Sequence, residues 1–255
     1  MLFSKTYKHS GDLGDIVYSL PVIKTYGCGK LLIADSIMPL KQSLKKWQIY
    51  INSTKMDKTE SGISDDKYYF IKPLLEKQHY IKSVNRCGES LPINIDLDGF
   101  RLDNKSLFIY EKYINTFDVP LKQYEMSWLE AESKEIEQIV ISRTNRYKNY
   151  NFPWNSIVKK YKKKCIFLGL PDEYDSFIKL YGFVPYYEVK DAYEMACVIK
   201  GSKLFIGNQS VAYAIAEGLK HRTIQETYRK LPDCIFVRDN AKFFIGENFV
   251  RLQYL

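Results

Sequence analysis

Long apolar runs are absent from this 255-residue sequence. No stretch approaches the roughly 20 apolar residues that a membrane-spanning helix needs, so a helical span is excluded. Histidine is scarce, with only His9, His79 and His221, which argues against a histidine-rich metal site. The five cysteines (Cys28, Cys87, Cys165, Cys197, Cys234) are scattered, odd in number and never in CxxC spacing. That pattern excludes a disulfide framework and a cysteine zinc site as organising features. The opening MLFSKTYKHSGD has no apolar core of signal-peptide length, and a cytoplasmic location is the expectation. Low-complexity tracts and short repeats are missing, as are a P-loop lysine, a nucleophile elbow and an HExxH motif.

What is present is ordinary globular material with a basic excess. The hydrophobic fraction of 45% and charged fraction of 27% suffice to offset chain entropy in a packed core. A formal charge of +8 favours anionic partners: phosphates, sugar nucleotides, nucleic acid or an acidic surface.

The pattern along the chain is βα in rhythm, twice over. Leu2–Lys8 reads as a strand, His9-Ser10-Gly11 as a tight loop, and Asp12 as the start of a helix. In that helix Ile16, Val17, Leu20 and Ile23 recur at helical spacing. Gly27 and Gly29 close the unit, and Lys30–Ala34 suits a buried parallel strand. Between residues 40 and 125 the expected elements are helices over Leu40–Ile51, Lys72–His79 and Lys105–Phe117, and a strand over Leu91–Leu97. Asn52–Lys67 reads as a loop. A domain boundary is expected within Val119–Gln138, giving units of residues 1–128 and 129–255. Strands then follow at Gln138–Ser142, Cys165–Gly169, Lys203–Gly207 and Thr223–Glu226. Helices alternate with them at Trp154–Lys163, Glu173–Tyr181, Asp191–Lys200 and Ser210–Leu219. Two α/β units in series predict two Rossmann-like, doubly wound domains facing a central cleft.

Three turns are candidates for chemistry. His9-Ser10-Gly11-Asp12-Leu13-Gly14-Asp15 lies where a strand meets a helix N-terminus, and orphan N–H groups and the helix dipole favour anions there. The plainer alternative for Asp12 and Asp15 is helix capping. Gly207-Asn208-Gln209-Ser210 is a second strand-to-helix turn, able to hold a diphosphate or simply to cap its helix through Ser210. Ser142-Arg143-Thr144-Asn145-Arg146-Tyr147-Lys148 follows a strand's carboxyl end, where ligands of open α/β sheets bind; it suits phosphate or is a solvated basic loop. The run Lys159-Lys160-Tyr161-Lys162-Lys163-Lys164 reads as a solvated helix end. Asp96-Leu97-Asp98-Gly99 matches a metal-binding DxD but sits in the wrong context, and reads as a strand-end turn.

The segment His9-Ser10-Gly11-Asp12-Leu13-Gly14-Asp15-Ile16-Val17-Tyr18-Ser19-Leu20-Pro21 resembles the opening of family 9 glycosyltransferases, the ADP-heptose:lipopolysaccharide heptosyltransferase group. Phe205-Ile206-Gly207-Asn208-Gln209-Ser210, with Ala212–Leu219, resembles that family's second hallmark turn and its alanine-rich helix. This chain has Gln209, Val211 and Ala214 where the family has aspartate, glycine and histidine. The resemblance implies a GT-B fold and an inverting, metal-independent sugar transferase. Asp15 would be the catalytic base, with His9, Ser10, Gly11, Asp12 and Gly14 around the acceptor. The donor would be a nucleotide-diphosphate sugar, a co-substrate rather than a cofactor. Arg143, Thr144, Arg146, Lys148, Gly169, Asn208, Gln209, Ser210 and Glu226 would hold it in the second unit. A saccharide or glycolipid is the expected acceptor. The alternatives are a phage-type transferase acting on modified bases of DNA and a non-catalytic module binding sugar nucleotides or nucleic acid.

Overall fold

A computed structural model describes residues 4–34, 63–87, 92–136, 138–246 and 248–250. The chain divides into two compact units, Met1–Trp128 and Leu129–Leu255.

In the first unit, strand β1 (Lys5–His9) leads through a short turn into helix α1 (Leu13–Tyr26) and strand β2 (Gly29–Ala34). Helix α2 (Asp65–Glu76), strand β3 (Ile81–Cys87) and the two-residue strand β4 (Ile95–Asp96) follow. A 3₁₀ turn over Leu97–Leu102 comes next, then helices α3 (Ile109–Phe117) and α4 (Lys122–Glu125). The sheet is parallel, in the order β3-β2-β1-β4. The apolar run of β2 is buried at all but one position, as a strand covered on both faces requires.

Helix α1 contains Pro21, which cannot donate to the Val17 carbonyl one turn earlier. The Trp128 indole N–H donates to that oxygen at 3.1 Å, and the Tyr124 hydroxyl donates to the neighbouring Tyr18 carbonyl at 2.9 Å. Side chains more than a hundred residues away thus satisfy a proline-broken helix, which is buried from Ile16 to Ile23.

The second unit runs β5 (Ile139–Ser142), α5 (Trp154–Tyr161), a 3₁₀ turn over Lys162–Lys164, β6 (Cys165–Phe167) and α6 (Pro171–Tyr181). It continues with α7 (Ala192–Gly201), β7 (Leu204–Asn208), α8 (Val211–Gly218) and β8 (Thr223–Glu226). Strands β9 (Ala241–Ile245) and β10 (Asn248–Val250) close it. The sheet order is β10-β9-β8-β7-β5-β6, parallel throughout except for the final β9–β10 pair. Its core joins Ile141, Trp154, Phe167, Phe177, Ile206 and Phe244.

Several boundaries differ from expectation. The helix expected over Leu40–Ile51 lies outside the described residues, as does most of the Asn52–Lys67 loop, whose last three residues already belong to α2. The strand expected over Leu91–Leu97 contracts to Ile95–Asp96 because Asp96 caps the 3₁₀ turn, accepting from the Asp98 N–H at 3.0 Å. Strands β3, β9 and β10 were not expected.

Candidate functional site

The end of β1 is wired to the 3₁₀ turn by buried charge. Lys8 is 1% exposed, and its Nζ lies 3.1 Å from Asp96 Oδ2 and 2.9 Å from Asp98 Oδ2. The Ser10 hydroxyl donates to Asp98 Oδ2 at 2.5 Å and the Ser10 N–H to Asp98 Oδ1 at 3.2 Å. Arg101 spans two carboxylates, donating from Nη1 to Asp98 Oδ1 at 2.6 Å and from Nη2 to Asp15 Oδ2 at 3.0 Å. Its guanidinium rests over the Phe100 ring.

These contacts set the charges. Burial opposes ionisation of Lys8 and Arg101, but Asp98 with Asp96 or Asp15 outweighs it, and both cations titrate above their ordinary values. Burial would raise Asp98, yet surrounding charge holds it well below the usual carboxylate range. His9 stands 3.5 Å from Asp98, but its Nδ1 accepts the Gly11 N–H at 2.8 Å and carries no proton there. The cations responsible are therefore Lys8 and Arg101. Burial pushes His9 down to about 3, so the ring is neutral. Its Nε2–H then donates to the Tyr113 hydroxyl at 3.1 Å, which donates to the Asp15 carbonyl at 2.9 Å.

This wiring changes the roles expected of the loop. His9 and Ser10 face inward, 0% and 4% exposed, and hold the turn instead of meeting an acceptor. Asp12 occupies the N-cap position of α1 without a side-chain capping bond, and Asp15 pairs with Arg101. Gly11 is required by close approach: a Cβ there would collide with Arg101 Nη2 and His9 Cε1. The Asp15 side chain, in the first turn of α1, keeps 26% of its surface exposed. The strand-end reading of Asp96–Gly99 holds in geometry, with the Lys8 ammonium lodged between the two carboxylates. The sequence reading did not include Lys8, Asp98, Arg101 or Tyr113 in the site. The one local signal was the Asp98–Arg101 spacing of three residues on a single turn.

In the second unit, β5 is flanked by β6 on one side and β7 on the other, and the chain reverses its winding there. The carboxyl ends of β5 and β7 therefore border the crevice where open α/β sheets bind ligands. Asn208, fully buried, straps the two ends together. Its Oδ1 accepts from the Thr144 N–H at 2.9 Å, and its Nδ2 donates to the Thr144 and Arg146 carbonyls at 3.2 and 2.6 Å. Ser210 caps α8, accepting from the Tyr213 N–H at 3.2 Å. Gln209 turns to the following segment, donating to the Leu231 carbonyl and Asp233 at 2.8 Å each and accepting from the Tyr228 N–H. At the end of β6, a Cβ on Gly169 would sit 2.8 Å from the Phe167 ring, so the glycine serves packing.

Arg143 and Glu226 were expected to meet a diphosphate and a ribose. The structure pairs them with each other instead: Arg143 Nε and Nη2 donate to the two Glu226 oxygens at 2.7 and 2.9 Å. The same carboxylate accepts from the Asn149 N–H at 2.6 Å and the Trp154 indole at 2.8 Å. Four donors saturate a fully buried group, leaving Glu226 nothing to offer a ribose. Arg143→Lys should therefore lower stability by about 1–3 kcal/mol, because an ammonium cannot reproduce the two-pronged contact. Calorimetric unfolding checks this; an unchanged Tm would return Arg143 to the donor site. The cations that reach solvent are Arg146, exposed above Tyr147, and the half-buried Lys148.

No protein-family model matches the sequence, and no curated protein matches it significantly. Solved structures do. The heptosyltransferase WaaC of E. coli, with ADP-2-deoxy-2-fluoro heptose, is 10% identical, covers 95% of this chain and 93% of its own, and gives a TM-score of 0.48. A family 9 glycosyl transferase from Veillonella parvula is 11% identical over 96% and 86% of the two chains, again at 0.48. TibC, an iron-containing dodecameric glycosyltransferase of enterotoxigenic E. coli, is 10% identical and reaches 0.54; the alignment covers 94% of this chain but 63% of TibC. At such identity the likeness is one of fold: two parallel α/β sheets with flanking helices, of the GT-B type that the His9–Pro21 and Phe205–Leu219 segments led one to expect.

Proposed function

We propose that this protein is an inverting glycosyltransferase that uses a nucleotide-diphosphate sugar and needs no metal. The observation that carries the reading is the Asp15 carboxylate, partly exposed beyond β1 and fixed by Arg101, which is itself anchored on buried Asp98. A base must be held in one orientation while still reaching solvent, and a simple cap needs neither. Asp15 takes the proton of the acceptor hydroxyl as that oxygen attacks the anomeric carbon. The diphosphate departs from the opposite face with the bonding electrons.

In the second unit, the α8 N-terminus offers backbone N–H groups beside Asn208, while Arg146 and Lys148 supply charge for the leaving group. Thr144 lies on the loop that Asn208 straps to the crevice. The acceptor is a saccharide or glycolipid. The resemblance of the His9–Pro21 segment to the ADP-heptose-using family makes ADP-sugars the first donors to try.

A thermal-shift series with ADP, UDP and GDP, free and sugar-linked, tests the donor class. A bound diphosphate at about 100 times its Kd stabilises by roughly 2.7 kcal/mol, an easily read rise in Tm. Turnover of the donor so found should be unchanged by EDTA. Loss of activity with EDTA, restored by Mg²⁺ or Mn²⁺, would overturn the metal-independent mechanism.

A further inference from the structure

At the end of α5 the chain carries five exposed lysines within six residues: Lys159, Lys160, Lys162, Lys163 and Lys164. A helix dipole presents about half a negative charge at its C-terminus, so it accounts for one or two of them. The remainder repel one another, a cost that an anionic partner would relieve.

They are also part of a cavity. Lys159, Lys162 and Lys163 rim a groove of about 600 Å³ whose walls are Val158, Tyr181 and Pro185. Among the described residues no acidic side chain lines it. Phe183, 67% exposed, stands at its edge, and Leu180, 54% exposed, lies one turn away on α6. An apolar floor inside a cationic rim fits a ligand that is both anionic and greasy. A sugar–phosphate chain would desolvate its polar groups against that floor without return. Exposed lysines around an apolar floor, beside a protruding phenylalanine, are the chemistry of a bilayer interface.

Position supports a separate role. Helix α5 runs against the strands, so the groove lies where β6 begins, at the amino edge of the sheet. The crevice of Thr144, Asn208 and Ser210 lies at the opposite, carboxyl edge. A surface seated on the groove would leave that crevice uncovered.

We propose that the Lys159–Lys164 groove is a docking site for an anionic phospholipid bilayer, with Phe183 entering the headgroup layer. The inference goes beyond the proposed transferase activity and its test needs no turnover. Co-sedimentation of the full chain is measured with vesicles of phosphatidylcholine alone and of phosphatidylcholine mixed with phosphatidylglycerol. Binding should require the anionic lipid and weaken as salt rises. The triple variant Lys159→Glu/Lys162→Glu/Lys163→Glu should lose well over 100-fold in affinity, since removing three lysines worth about 1 kcal/mol each already accounts for about 100-fold and the new carboxylates are repelled. Phe183→Ser should lose about tenfold. A triple Lys→Gln variant, with a smaller loss in the same direction, covers the case in which charge reversal impairs folding. The proposal is overturned if both vesicle types bind equally, or if the lysine variants bind as well as the parent at unchanged Tm. Tight binding of duplex or single-stranded DNA through the same lysines, with no vesicle binding, would overturn it in favour of a nucleic-acid partner.

Discussion

Asp15→Asn should lower kcat by at least 10²-fold while Tm and donor affinity stay close to those of the parent. Positioned general bases typically contribute 10²–10⁴-fold, and asparagine keeps the shape of the side chain without its proton-accepting oxygen. The structure sharpens the separation of roles. Capping alone does not call for the bond that Asp15 accepts from Arg101. Arg101→Gln then gives a graded comparison: it keeps Asp15 but releases its orientation, so kcat should fall less than in Asp15→Asn. The double variant should be no worse than Asp15→Asn alone, since there is nothing left to position. Asp12→Asn, at a cap position whose side chain makes no capping bond, should leave both turnover and stability nearly intact. Steady-state kinetics on the donor found by thermal shift decides it. Near-normal kcat in Asp15→Asn would remove Asp15 as the base, and buried, neutral His9 would be a poor replacement.

The parts of the fold legible in sequence are those written in local pattern. The runs Lys30–Ala34, Ile139–Ser142 and Leu204–Asn208 are strands because continuous apolar sequence bounded by turns suits a buried parallel sheet. Strand β3 escaped notice because it is an edge strand, and its sequence IKSVNRC has only two buried positions. Strand β9 lies beyond an irregular segment with no periodic lead-in. The Pro21 position would have argued against a helix there; its rescue by Trp128 and Tyr124 is a long-range event that no local window contains.

The candidate site divides in the same way. Turns at strand ends could be located: β1 leads through one into α1, whose first turn carries Asp15, and β7 ends at Asn208 just before the Ser210 cap of α8. Which side chains face solvent could not be located, because that depends on partners far along the chain. Ser10 turns inward for Asp98, 88 residues away, and Arg143 for Glu226, 83 residues away. Both halves of the Arg143–Glu226 pair carry charge at adjacent strand ends, so either could have met a ligand. Their mutual pairing in the folded unit takes precedence, since an unpaired buried charge costs several kcal/mol.

Acid should destabilise this protein from about pH 6.5 downward, chiefly through its histidines; Asp96, which burial raises to about 6, takes up its proton first in the folded state and offsets part of the loss. Burial pushes His9 down to about 3; burial, with Arg238 nearby, pushes His221 down to about 4, against 6.5 for the free side chain. Because the folded values are depressed, the unfolded chain binds protons first as pH falls. Stability is therefore full above about pH 6.5 and is lost on the way down towards pH 3–4. Each histidine contributes a slope that rises to about 1.4 kcal/mol per pH unit below pH 6.5, so two of them remove about 3 kcal/mol between pH 6.5 and 5, before the Asp96 offset. That is a large share of the 5–15 kcal/mol typical of a domain. Asp98, held low by Lys8 and Arg101, adds to the loss in the same direction only at still lower pH, once it begins to protonate. Urea unfolding at pH 7 and pH 5 measures the effect. His221→Gln keeps a polar partner near Ser202, whose hydroxyl lies 3.0 Å from the ring, and should flatten the slope by one proton in the second unit. His9→Asn should do the same in the first unit, from a lower starting stability because the bridge to Tyr113 is lost. Equal urea midpoints at the two pH values would mean that both rings gain their protons in the folded state, and the neutral His9–Tyr113–Asp15 chain would have to be abandoned.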